Sequence, residues 1–319
     1  MQAAALDATS GRGVGMVGQP LIPERGHLLV RIYVKAYRLM HPPVSGAQKK
    51  VMHMDIEMAL KIEAAEREYL CSRVQNLSLI QGNPYGARIF FNEEFSCFQV
   101  KATPSPMLNR IYGRNTEDPQ IILNLLRQSA EYSTVTPLVG KSSTLVQHVH
   151  MGDGCLERLR GWTHLQLACA VKDVILNQHA FEVEEITPET LAEFADVHAG
   201  CFHTKLDQRT LNQASFLAPI TNDRMKIYAL RAGGKMVAGA AIYFASNGVA
   251  YLGTAATRKD ARGFGYHAAL ISHRIEQAKN YGCSLIAATA LANSQSRRNL
   301  QRAGLAQSHV QALYRLREN

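Results

Sequence analysis

The chain has 319 residues, 46% apolar and 19% charged, with a formal net charge of +9. That length leaves room for two domains, and no window approaches the roughly 18 uninterrupted apolar residues of a membrane span, which excludes a transmembrane reading. Six cysteines, at 71, 97, 155, 169, 201 and 283, show no C-x-x-C and no clustering, so they read as free thiols in a reducing, cytoplasmic setting.

The positive charge is concentrated at one end. Residues 1–51 carry seven basic side chains (Arg12, Arg25, Arg31, Lys35, Arg38, Lys49, Lys50) against two acidic ones (Asp7, Glu24), which leaves only +4 for the other 268 residues. This leader reads as a disordered basic arm, as an amphipathic surface helix with Arg31, Lys35 and Arg38 on one face, or as an extension upstream of a start at Met52 or Met54. It lacks the apolar core and small-residue cleavage site of a secretory signal.

From Asp55, "DIEMALKIEAAEREYLCSRV" places Ile56, Ala59, Leu60, Ala64 and Tyr69 near a helical stripe. "NPYGARIFFNEEFSCFQV" reads as a turn and a strand hairpin. An amphipathic helix is predicted over 119–132, a strand at "TLVQHVHM", a short helix "DGCLERLRGWT" stopped by Gly161, and a strand "HLQLACAVK". A second series begins at Phe181: strand "FEVEEIT", helix "PETLAEFADVHAGCF" with Pro188 in its first turn, and a helix around "DQRTLNQASFLA". Strands "KIYALRA", "MVAGAAIYFA" and "GVAYLGTAA" follow, then a glycine turn and its helix, strand "SLIAATA", helix "SQSRRNLQRAG" and strand "VQALYRLR". Residues 155–172 and 299–316 echo each other as a basic helix, a glycine stop and a strand, which points to two related halves meeting near 171–179.

The segment "TRKDARGFGYHAAL" packs Arg262, Gly263 and Gly265 between a strand and a helix. Backbone N–H groups in such a turn face outward at the positive end of the helix dipole, a geometry that holds phosphate. A nucleoside-triphosphate loop would require Lys-Ser/Thr after the last glycine, and none follows. "GFGYHA" satisfies the G-x-G-x-x-A spacing of dinucleotide sites, but the next strand ends without the acidic residue that would hold a ribose.

The stretch "AYLGTAATRKDARGFGYHAAL" resembles motif A of the GNAT superfamily of acyl-CoA-dependent N-acyltransferases, written Gln/Arg-x-x-Gly-x-Gly/Ala after a strand. Arg262, Gly265 and position 267 fill the slots, with His267 where Gly or Ala is usual and Lys259 where Pro is frequent. "ANSQSRRNLQRAGL" is similar to the superfamily's next helix, with Asn293, Ser296, Gly304 and Leu305 in corresponding places. The resemblance covers 181–316, while "NPYGARI", "NRIYG" and "LRGW" look like the degenerate first half of tandem members.

The resemblance implies an α/β (α+β) fold of two GNAT-like domains, each a mixed, mostly antiparallel sheet flanked by helices: a degenerate domain at 52–172 and an acyl-CoA-binding domain at 180–319, after a poorly ordered leader. It implies acetyl-CoA or another acyl-CoA as co-substrate, no metal, and contacts from Ala255, Ala256, Thr257, Arg262, Gly263, Phe264, Gly265, Tyr266, His267, Asn293, Ser296 and Asn299. The reaction would be direct attack of a primary amine on the thioester, with a backbone N–H polarising its carbonyl. The tyrosine that many members use as acid is Leu300 here, and "GVAYLGTAAT" holds no carboxylate, so the acid and base stay unassigned. Ser294, Ser296, Tyr251 and His267 are candidates. Their plainer readings are helix caps, a strand aromatic and a helix-surface histidine.

Two other constellations have plain readings too. His148, His150, Asp153 and Cys155 suit a polar strand face better than a zinc site, having no second ligand pair, and Cys201 with His203 suits a helix end better than a nucleophile and base. Trp162 is expected in the core. The acceptor that the GNAT resemblance implies is a small-molecule or peptide amine. Alternatives are an aminoacyl-tRNA-dependent transferase, the one version with a nucleic-acid partner, and a non-catalytic acyl-CoA-binding module.

Overall fold

A computed structural model describes residues 46–91, 95–113, 119–142, 146–151, 154–176, 178–221 and 223–317. The chain divides into the units Met1–Met54 and Asp55–Asn319. Of the first, only helical backbone from Gly46 onward is described, so the reading of a poorly ordered leader falls almost wholly outside the described residues. Among those residues, no helix is long and apolar enough to cross a membrane.

The strands are β1 (Ala87–Phe91), β2 (Phe95–Val100), β3 (Arg110–Gly113), β4 (Leu138–Ser142), β5 (His148–Met151), β6 (Gly154–Ala170), β7 (Glu184–Glu185), β8 (Met225–Ala232), β9 (Lys235–Phe244), β10 (Val249–Thr257), β11 (Leu285–Leu291) and β12 (Ala306–Arg317). The helices are α1 (Gly46–Leu79), α2 (Pro119–Tyr132), α3 (Leu191–Cys201), α4 (Arg209–Ile220), α5 (Tyr266–Asn280) and α6 (Gln295–Arg302). The strands make one mixed, mostly antiparallel sheet in the order β1-β2-β3-β4-β12-β6-β11-β10-β9-β8-β7, with β5 beside β6.

That order reads alike from both ends. The runs β1–β4 and β8–β11 each end in a parallel pair, β3/β4 and β10/β11, bridged by α2 or α5. Between the runs lie β12 and β6, and each crosses over: β12 pairs with β4, and β6 pairs with β11. The long strand that follows each run in sequence is therefore seated against the other run.

"DGCLERLRGWT" is not a helix; from Gly154 it is the first half of the long strand β6. The alternating charges that read as a helical face serve cross-strand pairing, since Glu157 lies opposite Arg315 and bonds its guanidinium at 2.8 Å. Gly161, at φ +80, lies between Arg158 and Thr163, where the register of β6 with β12 shifts, and is not a helix stop. Pairing on both sides overrides local propensity, and the echo between 155–172 and 299–316 holds only for its strands. Strands β3 and β4 were not foreseen. Trp162 is half-buried beside His164, not in the core.

Each face of the sheet carries its own core. On one side, α1, α3 and α4 contribute Ile62, Tyr69, Leu70, Phe194 and Phe216 against Ala241, Tyr243 and Tyr251. On the other, α5 and α6 contribute Leu270, Ile271, Ile275 and Leu300 against Ile242, Leu252 and Ile286. Full burial of each large aliphatic side chain stabilises by about 1.5–3 kcal/mol.

Candidate functional site

The turn between β10 and α5 has the geometry its glycines predict. Gly263 (φ +91) and Gly265 (φ +90) occupy the left-handed region, where a β-carbon is strained. Around a β-carbon at Gly263 there is open space to 4 Å. The first intrahelical bond of α5 runs from the Ala269 N–H to the Gly265 carbonyl (3.0 Å), so the amides of Tyr266, His267 and Ala268 are first-turn donors without an intrahelical acceptor. A turn that is open, rich in N–H groups and set on a helix dipole fits a phosphate group.

Next to this turn the sheet opens. Parallel pairing of β10 with β11 stops at Leu252 and Ala288, although β10 continues to Thr257 and β11 to Leu291. The cause is a bulge: β10 places Leu252 opposite Ile242 but Ala255 opposite Ala240, three residues against two. The extra residue bends β10 away from β11 and leaves the edge from Gly253 to Thr257 unpaired with β11.

Side chains from three helices converge on the bulge. His198 on α3 places Nε2 2.9 Å from Thr254 Oγ1, and Asn212 on α4 places Nδ2 3.2 Å from His198 Nδ1. An amide nitrogen only donates, so Nδ1 accepts and Nε2 carries the proton that it donates to Thr254. The threonine O–H is then free to donate elsewhere. Burial brings the His198 pKa down to about 3, with the Arg73 charge adding to it. It is therefore a neutral relay at physiological pH and not a base.

From α1, Tyr69 reaches the same point. Its hydroxyl accepts from the Thr254 N–H at 3.4 Å, and its ring covers Gly253, whose absent β-carbon would stand 2.8 Å from Tyr69 Cζ. One turn earlier, buried Glu66 accepts from Tyr251 Oη (3.0 Å) and Gln166 Nε2 (3.1 Å), with Arg110 3.8 Å away as counter-charge. Burial and the nearby Glu66 push the Tyr251 hydroxyl well above the ordinary phenol range, so it stays a donor.

The predicted residues are distributed as follows. Ala255, Ala256 and Thr257 form the unpaired end of β10, and Arg262–His267 form the turn. Arg262 bends back so that its Nε donates to the Thr257 carbonyl (3.3 Å), and Phe264 is exposed. His267 Nδ1 meets Asn299 Nδ2 at 2.8 Å, tying α5 to α6, and burial lowers its pKa to about 4. That half-buried, tethered ring replaces the helix-surface reading. Ser296 is half-buried on α6, and Asn293 is exposed ahead of it.

Ser294 caps α6, accepting from the Arg297 N–H at 3.1 Å. Leu300 is 3% exposed within the core under α6. His148 and His150 are exposed on β5, and His203 is exposed just past α3. The sequence reading did not single out His198, Asn212, Thr254 or Glu66. One signal was present: Glu66 and Arg73 share the spacing of Ile62, Tyr69 and Leu77, which puts two charges on an apolar stripe.

The model of the acetyltransferase (GNAT) family matches residues 189–305. No curated protein matches the chain in sequence. A functionally unknown conserved protein from Staphylococcus epidermidis superposes with a TM-score of 0.52 at 8% identity, covering 77% of this chain and 99% of its own. A GCN5-related N-acetyltransferase from Kribbella flavida superposes with a TM-score of 0.51 at 13% identity, covering 78% and 94%. These two likenesses concern the fold. The glycine turn, the opened strand pair and the second helix all lie inside the matched segment, and residues 189–305 are a domain of the acetyltransferase (GNAT) family.

Proposed function

We propose that this protein is an acyl-CoA-dependent N-acyltransferase that moves an acetyl or other acyl group from a coenzyme A thioester to a primary amine. The observation that carries the reading is the opened β10–β11 edge running directly into the glycine turn. Amides of residues 263–268, with Arg262 beside them, would hold the diphosphate, and the free edge from Gly253 to Thr257 would pair with the pantetheine arm. Coenzyme A supplies an acyl carbon activated as a thioester.

The chain supplies position and hydrogen bonds. The Thr254 hydroxyl, oriented by His198 and Asn212, and the Thr254 N–H, now shared with Tyr69, are donors suited to an oxyanion that develops beside β10. The amine nitrogen forms a C–N bond as the C–S bond breaks. The proton lost from nitrogen and the one gained by sulfur pass through water or through the Tyr69 and Thr254 hydroxyls at the bulge. No carboxylate lies on β10, and Leu300 is sealed in the core, so neither acts as the acid or base.

The mirrored strand order supports two related halves, 52–172 and 180–319, of which only the second carries a glycine turn. The buried Leu300 favours one rival, a module that binds acyl-CoA without turning it over. Incubation with acetyl-CoA and a set of primary amines, followed by free thiol release, separates the two. Amine-dependent release above the hydrolytic background supports transfer; tight binding with no release with any amine supports the rival.

A further inference from the structure

Thr289 is the first β11 residue past the end of pairing with β10, and the register sets it opposite Gln166 on β6, which is opposite His309 on β12. Gln311 lies two residues further along β12, opposite His164. Facing partners on neighbouring strands stand about 5 Å apart, so these four side chains form one short strip. It starts at the opened edge and runs across the pair of exchanged strands. Gln166 reaches Glu66, which places the strip on the α1 side of the sheet.

Among the described residues, Thr289 Oγ1, Gln166 Oε1, His309 Nε2 and Gln311 Nε2 are buried without a hydrogen-bond partner. Gln166 is 0% and Gln311 3% exposed. Native proteins satisfy roughly 90% or more of their buried polar atoms, and four exceptions on adjoining positions of three strands call for a common partner.

The charge around the strip selects that partner. Glu66 is matched by Arg110, but Glu63 faces the strip with His309 Nε2 at 3.6 Å as its nearby group. Ser308 Oγ lies 3.2 Å from His309 Nδ1. The Glu63 carboxylate beside Nε2 favours the tautomer that carries its proton there, which makes Nε2 a donor and leaves Nδ1 to accept from Ser308. The strip therefore offers acceptors at its opened end (Thr289 Oγ1, Gln166 Oε1) and donors further along (His309 Nε2, Gln311 Nε2), under a carboxylate. An ammonium suits the first end. The second end needs an acceptor without negative charge, since a carboxylate would face Glu63 and an alkyl chain would leave both donors unpaired.

We propose that the acyl acceptor is a small primary amine bearing hydroxyl or amide groups and no carboxylate, bound along Thr289, Gln166, His309 and Gln311 with its nitrogen at the Thr289 end. This rests on the acyltransferase reading above. The four probes are serinamide, glucosamine, serine and butylamine, with acetyl-CoA binding followed separately by calorimetry. The expected kcat/KM is at least tenfold higher for serinamide and glucosamine than for butylamine, with serine lowest.

Thr289→Val, which keeps the side-chain shape, and Gln311→Leu lower kcat/KM for serinamide and glucosamine at least tenfold. Both leave acetyl-CoA affinity within twofold, and melting curves confirm that each variant is folded. Thr289→Val lowers butylamine turnover as well, because it removes an acceptor at the ammonium end, whereas Gln311→Leu, at the far end, removes the preference for serinamide and glucosamine over butylamine. The inference is overturned, with the acyltransferase reading intact, if acetyl-CoA binds but serine or butylamine matches serinamide, if none of the four is acylated, or if folded Gln311→Leu keeps the wild-type preference. Absence of acetyl-CoA binding overturns both readings together.

Discussion

A β-carbon placed on Gly253 would stand 2.8 Å from Tyr69 Cζ, 3.0 Å from its Oη and 3.1 Å from Cε2. Carbon atoms settle at about 3.5–4.0 Å, so Gly253→Ala requires the Tyr69 ring to move by roughly 1 Å. The ring has no room to do so, being 1% exposed and packed against Tyr243 and Tyr251 at centroid distances of 6.1 and 5.7 Å. Overpacking of this kind costs about 1–3 kcal/mol, and in a unit of this size each kcal/mol lowers Tm by about 2–4 °C. Urea unfolding of Gly253→Ala, Tyr69→Leu and the double variant measures the effect. With the ring removed the new methyl meets no obstacle, so the double variant is more stable than the two single losses predict by at least about 1 kcal/mol. Additive losses would refute the reasoning, because they would mean that Tyr69 does not cover the bulge.

Gly265→Ala forces a side chain into the left-handed region and costs about 1–2 kcal/mol, while Gly265→Asn, which tolerates that region, costs less; equal losses in thermal melts would contradict the turn geometry. His198 is held neutral in the folded chain, with its pKa near 3, whereas the unfolded side chain binds a proton below pH about 6.5. Its contribution to stability is thus fully present above pH about 6.5 and is lost as pH falls toward 3. His198→Asn should flatten the decline in urea midpoint between pH 7 and pH 5, and an unchanged slope counts against the buried relay. A fragment of residues 180–319 lacks β6, which lies between β11 and β12 and pairs with both. That fragment is expected to show no cooperative melting by circular dichroism, and a cooperative transition near that of the full chain would disprove mutual dependence of the halves.

The glycine turn and its helix were legible because they are local: two glycines, a strand before and an apolar 3.6-residue period after. Helix 119–132 and the strands from 225 to 257 were legible for the same reason. The exchange of β6 and β12 was not, because a strand that pairs with partners 138 to 162 residues away leaves no short-range trace, and charges at Glu157, Arg158 and Arg160 imitate a helical face. Thr254 was hidden by the bulge. Strict alternation would set it with Leu252 on the α5 side, and the extra residue turns it toward His198 instead. Glu66 and Arg73 were readable as charges on an apolar stripe, but their partners on β3, β6 and α4 were not.

The central claim is that main-chain amides at the start of α5 hold the diphosphate of coenzyme A. Parallel calorimetric titrations with acetyl-CoA and with acetylpantetheine, which has the same thioester but no diphosphate, test it most directly. Saturable binding of one acetyl-CoA per chain, with acetylpantetheine weaker by a hundredfold or more, is the predicted result. Equal affinity for the two, or no saturation with either by folded protein, would contradict it.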